Sequence, residues 1–308
     1  MKYRISHEYF PFNIINLPVW LVDMAGRLDW LMTPPMSLFF DRDLSVRRKR
    51  IAGYLGESIE VIVIEPKDVE SPSCAMVYYH GGGFSLGATW HHYDMARMYA
   101  KCAKCKVIFP QYRLAPRYPY PYGPEDCYAA LKYTYDNADS LGIDRTKIGV
   151  GGDSAGGALC AATVQMARDR GLGIPLFQML IYPVIDRRMT TDSMTNYLDT
   201  PMWNARLSRL MWRTYLGDGE HENIAYASPI EAHSLEGLSD AYVETAEFDC
   251  LRDEGIAYAL ALRDAGVSVT LNETFGTMHS YDAIKGASES RRSFDARINY
   301  MKKRFSEE

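Results

Sequence analysis

The sequence predicts an α/β fold, a mostly parallel central sheet flanked by helices on both faces. Three observations carry this. Apolar strand candidates alternate with helical segments from about residue 57 onward, the pattern of strands buried on both faces. A serine between glycines, Gly152-Asp153-Ser154-Ala155-Gly156, stands where such a strand gives way to a helix. The chain has 308 residues and 47% hydrophobic content, enough for one large domain with insertions.

In chain order, residues 1–50 depart from the alternation. Leu17, Leu21, Met24, Leu28 and Leu31 recur at helical spacing, with Asp23 and Arg27 on another face, so an amphipathic helix needing an apolar partner is expected. The run Arg47-Arg48-Lys49-Arg50 reads as a solvated face. Strands are expected at 58–65, 74–79, 106–112, 147–151, 177–183, 240–247 and 268–275, with a further strand near 50–55 pairing antiparallel with the first. Helices are expected at 92–105, 124–140, 155–170, 253–266 and 290–304. Residues 187–216 depart again. There Thr200 suits a helix cap, Pro201 the first helical position and Gly217 the end, and Met202, Leu207, Leu210, Met211 and Tyr215 supply an apolar side.

Composition excludes several classes. A net charge of −5 argues against a nucleic-acid partner. The six cysteines are scattered, which implies no disulfide framework, and Cys102-Ala103-Lys104-Cys105 has no second pair with which to bind zinc. No segment is long and apolar enough to span a bilayer, so a reducing, cytoplasmic setting is expected.

The motifs point to acyl transfer. A strand into Ser154 and a helix out of it make a nucleophile elbow, with the hydroxyl at a helix N-terminus. Upstream, Ala75-Met76-Val77-Tyr78-Tyr79 runs into His80-Gly81-Gly82-Gly83-Phe84. Consecutive glycines add nothing to a core, but they let backbone amides point at a developing oxyanion, with the amide of Ala155 as a second donor. Of the three histidines after the elbow, His279 lies just past a strand, where a base belongs, while His221 and His233 lie in polar stretches. Four carboxylates compete for the orienting acid. Asp249 is the first choice and Glu247 the second, and Asp253 and Glu254 suit the start of the next helix.

Taken together, His80-Gly81-Gly82-Gly83-Phe84, Tyr112-Arg113-Leu114-Ala115-Pro116, Gly152-Asp153-Ser154-Ala155-Gly156-Gly157, Asp249-Cys250-Leu251-Arg252-Asp253-Glu254 and His279 resemble the hormone-sensitive-lipase-like, HGGG-type family of α/β-hydrolase carboxylesterases. The resemblance implies Ser154 as nucleophile, Asp249 as acid and His279 as base. It implies an oxyanion hole from Gly82, Gly83 and Ala155 with Gly81 in the same loop, and His80 as a brace. It further implies an α/β-hydrolase core over 51–186 and 217–308, with a helical cap built from 1–50 and 187–216. The expected substrate is a small-molecule ester with a short- to medium-chain acyl group, cleaved without metal or cofactor. Bulky residues in the cap segments (Trp20, Trp30, Phe39, Phe40, Trp203, Trp212) would shorten the pocket. Amidase or deacetylase chemistry shares the same triad. A homodimer through the C-terminal edge strand 268–275 is compatible with the resemblance.

Overall fold

The computed structural model describes residues 2–28, 41–219 and 221–307; Trp30, Leu31, Phe39 and Phe40 lie outside the described residues. A helix over Val19–Arg27 (α1) precedes the sheet strands Leu44–Ala52 (β1), Ser58–Pro66 (β2) and Ser73–Tyr79 (β3). Then follow Trp90–Ala103 (α2), Lys106–Gln111 (β4), Tyr122–Asp136 (α3), Ala138–Leu141 (α4), Ile143–Asp153 (β5), Ala155–Asp169 (α5) and Gln178–Ile181 (β6). The chain closes with Asp192–Asn196 (α6), Ala205–Leu216 (α7), Ala241–Phe248 (β7), Arg252–Asp264 (α8), Val269–Met278 (β8) and Ser288–Ser306 (α9). No helix among the described residues is long and apolar enough to cross a membrane.

The strands form one sheet in the order β1-β2-β4-β3-β5-β6-β7-β8. Only β2 runs antiparallel to its neighbours; from β4 to β8 every pairing is parallel. Alternation along each strand splits the core in two. Val61, Val63, Val77 and Val150 pack with Leu131, Leu159 and Leu262 under α3, α5 and α8. Ile62, Ile64, Met76 and Met179 pack with Met95, Tyr99 and Met301 under α2 and α9. All six cysteines are free thiols.

The structure differs from the sequence reading in four places. The first strand is β1, from Leu44, so a division at residue 50 falls inside it. The basic run lies inside that strand, exposed on both of its faces, with Arg47 paired to Glu65 at 2.8 Å and Arg48 near Glu60 at 3.6 Å. Helix α7 begins after Asn204, whose side-chain Oδ1 accepts the Arg206 and Leu207 amides at 3.2 and 3.3 Å. Thr200 is not a cap; its hydroxyl donates to the Trp203 carbonyl at 2.7 Å. An amide side chain that reaches two orphan N–H groups sets the boundary more strongly than the Pro201 signal. Helix α1 packs through Val22 while Leu21, Met24 and Leu28 stay exposed, so its apolar stripe is only partly used among the described residues. A short helix, α6, capped by the Thr191 hydroxyl, had no separate sequence signal.

The two departures from the alternation meet in space. Met202 donates its amide to the Ile15 carbonyl at 2.9 Å, Asn204 donates to Asn16 at 3.3 Å, and α1 packs on α7.

The segment Tyr112-Arg113-Leu114-Ala115-Pro116 has a structural task. Asp126 of α3 is fully buried and accepts from the Arg113 Nε and Nη2 atoms at 2.8 and 2.7 Å. It also accepts from the backbone amides of Tyr54 and Arg113, at 2.9 and 3.1 Å. One carboxylate thus ties the β1–β2 turn to α3. Removing it breaks a largely buried ion pair and leaves the Tyr54 and Arg113 amides without their acceptor, although Arg113 keeps Glu57 at 2.7 Å, and such a loss typically costs about 3–5 kcal/mol. Asp126→Ala should therefore lower unfolding stability by about that much in a urea titration, and a loss below roughly 1 kcal/mol would contradict the clamp.

Candidate active site

Four strand ends build the site. β3 and β5 are parallel neighbours with Tyr79 beside Gly152, so the glycine loop after β3 lies next to the elbow after β5. Ser154 has φ 55° and ψ −119°, a strained conformation for a residue with a Cβ. The tight turn holds because α5 packs directly on β3. A Cβ on Gly156 would be driven into the Tyr79 carbonyl, and one on Gly152 into the Gly156 carbonyl.

β7 and β8 bring Asp249 and His279 side by side. Their parallel register runs unbroken from Ala241/Val269 to Ala246/Thr274 and resumes at Phe248/Met278. Between these points one residue of β7, Glu247, faces three of β8, Phe275 to Thr277. The bulge turns at Gly276, with φ 65°, and Glu247 clamps it. The Glu247 carboxylate accepts the Gly276 amide at 2.7 Å, and its own amide donates to Thr277 Oγ1 at 3.1 Å. Asp249 and His279, each one residue beyond the resumed pairing, therefore stand together at the sheet's carboxyl edge.

His279 Nδ1 lies 2.6 Å from Asp249 Oδ2, and His279 Nε2 lies 2.9 Å from Ser154 Oγ. Asp249 is fully buried, Ser154 and His279 nearly so, and the second Asp249 oxygen accepts the Leu251 amide at 3.0 Å. With a carboxylate on Nδ1, that nitrogen carries the proton and Nε2 is free to accept from the serine. The competing carboxylates are engaged elsewhere. Asp253 accepts the Ser193 amide at 2.7 Å. Glu254 is buried with one oxygen on the Ile185 and Asp186 amides. Burial pushes its pKa well above the usual carboxylate range, against the pull of those two amides.

In the glycine loop, the Gly82, Gly83 and Ala155 amides have no acceptor among the described residues. Gly81 differs from the expectation that grouped it with them. Its amide donates to Asp153 Oδ2 at 3.1 Å and so is not available to an oxyanion. Asp153, the residue before Ser154, also accepts from Tyr78 Oη at 2.7 Å and from His92 Nε2 at 3.2 Å. The Thr89 amide donates to His92 Nδ1 at 2.9 Å, so His92 carries its proton on Nε2. Burial alone would raise the Asp153 pKa, but His92 and the Tyr78 hydroxyl outweigh it and hold it low. Asp153 and His92 escaped sequence reading because one is only the variable position of the elbow and the other opens an ordinary helix.

His80 stacks on Tyr112 at 4.4 Å between centroids, donates from Nδ1 to the Gly81 carbonyl at 2.7 Å, and has its own carbonyl held by Tyr112 Oη at 2.7 Å. His221 packs edge-on against Tyr120, and His233 is exposed; neither approaches the triad. Trp203, one of the bulky cap residues expected to shorten the pocket, stands beside the triad. Its indole lies against Gly83 and 6.0 Å, centroid to centroid, from the His279 ring, whose other neighbour is Tyr182 at 4.8 Å.

Residues 76–283 match the family described as the α/β hydrolase fold. The carboxylesterase NlhH of Mycobacterium tuberculosis is 40% identical over 261 residues, which is 83% of this chain and 80% of that protein. An arylesterase of Saccharolobus solfataricus is 35% identical over 207 residues, 67% of each chain. Among solved structures, a bacterial heroin esterase superposes with a TM-score of 0.91 at 33% identity, covering 99% of both chains. An esterase of Pyrobaculum calidifontis superposes with a TM-score of 0.82 at 35% identity, covering 93% of this chain and 94% of that one.

Burial, then the nearby His92, push the His80 pKa down to about 3. An unfolded histidine takes up its proton near pH 6.5, which the folded ring refuses, so stability is lost as pH falls below about 6.5. Urea midpoints measured between about pH 7 and 4.5 should fall, and they should fall less steeply in His80→Gln. Equal slopes for the two proteins would contradict the assignment.

Proposed function

The chain belongs to the α/β-hydrolase fold family, among its carboxylic ester hydrolases, and from that premise we propose that it cleaves small esters through an acyl-enzyme on Ser154. The carrying observation is the unbroken hydrogen-bonded line Asp249–His279–Ser154 at the carboxyl ends of β7, β8 and β5. In this reading His279 Nε2 takes the hydroxyl proton as Ser154 Oγ attacks the ester carbonyl. The Gly82, Gly83 and Ala155 amides receive the oxyanion, each such donor worth about 3 kcal/mol in the transition state. Asp249 holds the imidazole tautomer and supports its positive charge. His279 then protonates the leaving alcohol and activates the water that releases the acid.

The reading extends to the cap and the acyl group. Residues 2–28 and 187–216 form the cap, since Val22 and Gly26 of α1 and Leu207, Leu210 and Met211 of α7 line one cavity with Gly82 and Gly83. That cavity lies against the glycine loop and is bounded by Trp203, whose ring also neighbours His279. It favours short acyl chains, with Trp203 as the wall that limits them.

Two experiments test this. Ser154→Ala should lower p-nitrophenyl butyrate turnover by roughly 10⁴-fold with the fold intact, and near-native turnover would defeat the nucleophile assignment. In a series of p-nitrophenyl esters from C2 to C16, short chains should be preferred, and Trp203→Ala should shift the optimum toward longer ones. A native preference for C16 over C4 would overturn the pocket assignment.

A further inference from the structure

Behind the base lies a buried group of charges that the reaction does not use. Arg297 of α9 is 1% exposed, and it faces Glu244 of β7 and Asp282, both similarly buried. Its Nε and Nη2 atoms donate to the two oxygens of Glu244, while Nη1 donates to Asp282 Oδ2 at 2.7 Å and to Tyr99 Oη at 3.3 Å. The remaining capacity of Glu244 is filled by the hydroxyls of Tyr281 and Tyr242, at 2.6 and 2.8 Å, and by the Asn272 amide at 3.1 Å. Asp282 accepts from Tyr182 Oη at 2.7 Å and has His91 Nε2 at 3.4 Å.

We propose that Arg297 is a positioning residue for the base, holding His279 from two sides through Tyr281 and Asp282. This rests on the reading of His279 as the base of Ser154. The first side is the chain. Ser280 follows His279 in the left-handed region, φ 58°, so the backbone reverses at once and the next two residues fix where the imidazole can stand. Those two residues are Tyr281 and Asp282. One reaches the Arg297 cluster through Glu244, and the other binds Arg297 directly. The second side is the ring. Tyr182, held by Asp282, presents its ring to the imidazole with 63° between their planes.

A buried ion cluster is poor evidence for stability, since apolar residues of equal volume often serve as well. What a planar guanidinium adds is direction: two carboxylates are fixed at set angles by one rigid fork. Rate is sensitive to that, because the imidazole must meet a serine and a carboxylate at once, and a displacement of about 1 Å can lower turnover by roughly 10²-fold.

The test is steady-state kinetics on p-nitrophenyl butyrate, with the rate of Ser154 labelling by a fluorophosphonate, for the full-length protein and its variants. Arg297→Met should lower kcat and the labelling rate roughly 10- to 100-fold with KM within about twofold. Arg297→Lys, which keeps the charge without the fork, should recover only part of the loss. Tyr281→Phe and Tyr182→Phe remove single hydroxyls and should lower kcat several-fold without moving KM. They decide the matter if Arg297→Met does not fold. Folded variants with native kcat and labelling rate would overturn this proposal alone. Wild-type protein that is not labelled at Ser154 would overturn the reading of the site and this proposal with it.

Discussion

The site depends above all on the register between β7 and β8. Two neighbouring parallel strands end together, and the residue after each, Asp249 and His279, belongs to the proposed triad. That coincidence exists only because Glu247 faces three residues of β8. Had the earlier register continued, Asp249 would stand beside Thr277, and the imidazole would fall beyond reach. The bulge is held by hydrogen bonds to both the carboxylate and the amide of Glu247, so a residue that could be mistaken for the acid instead sets the distance between acid and base.

The same economy governs the other half of the site. Ser154 and the glycine loop come from the carboxyl ends of β5 and β3, where open α/β sheets place their ligands. Asp153 joins them. It is the serine's chain neighbour and the partner of Gly81, Tyr78 and His92. In the proposed mechanism the amides that would receive the oxyanion are therefore set before any substrate arrives, which is what makes backbone amides effective there.

What the sequence shows follows from where the information lies. The alternation of strands and helices, the elbow, the glycine loop and the positions of Asp249 and His279 are local signals, readable within a dozen residues. The Glu247 bulge is not, since it is a property of two strands together. Nor are the roles of His92 and Arg297, whose partners lie 61 and 53 residues away along the chain. The start of α7 was misplaced because the Thr200-Pro201 pair carries a plausible start signal, while Asn204 wins by a geometry only the folded chain reveals. The run Arg47 to Arg50 reads as a solvated face, and solvated it is, but the antiparallel strand expected near 50–55 begins earlier, at Leu44, and takes the run into the sheet.

That basic strand has a consequence for how copies of the molecule meet. Among the described residues no strand pairs with the outer rim of β1, the kind of template onto which a second extended chain adds and from which fibrous aggregates grow. Four cations in succession, Arg47 to Arg50, flank that rim with long, hydrated side chains on both faces, and with only Arg47 and Arg48 beside carboxylates of β2, a like segment drawing near meets excess positive charge. Electrostatic self-avoidance at one flank of the sheet is thus written into the chain, at the place where β-structure is otherwise most prone to spread.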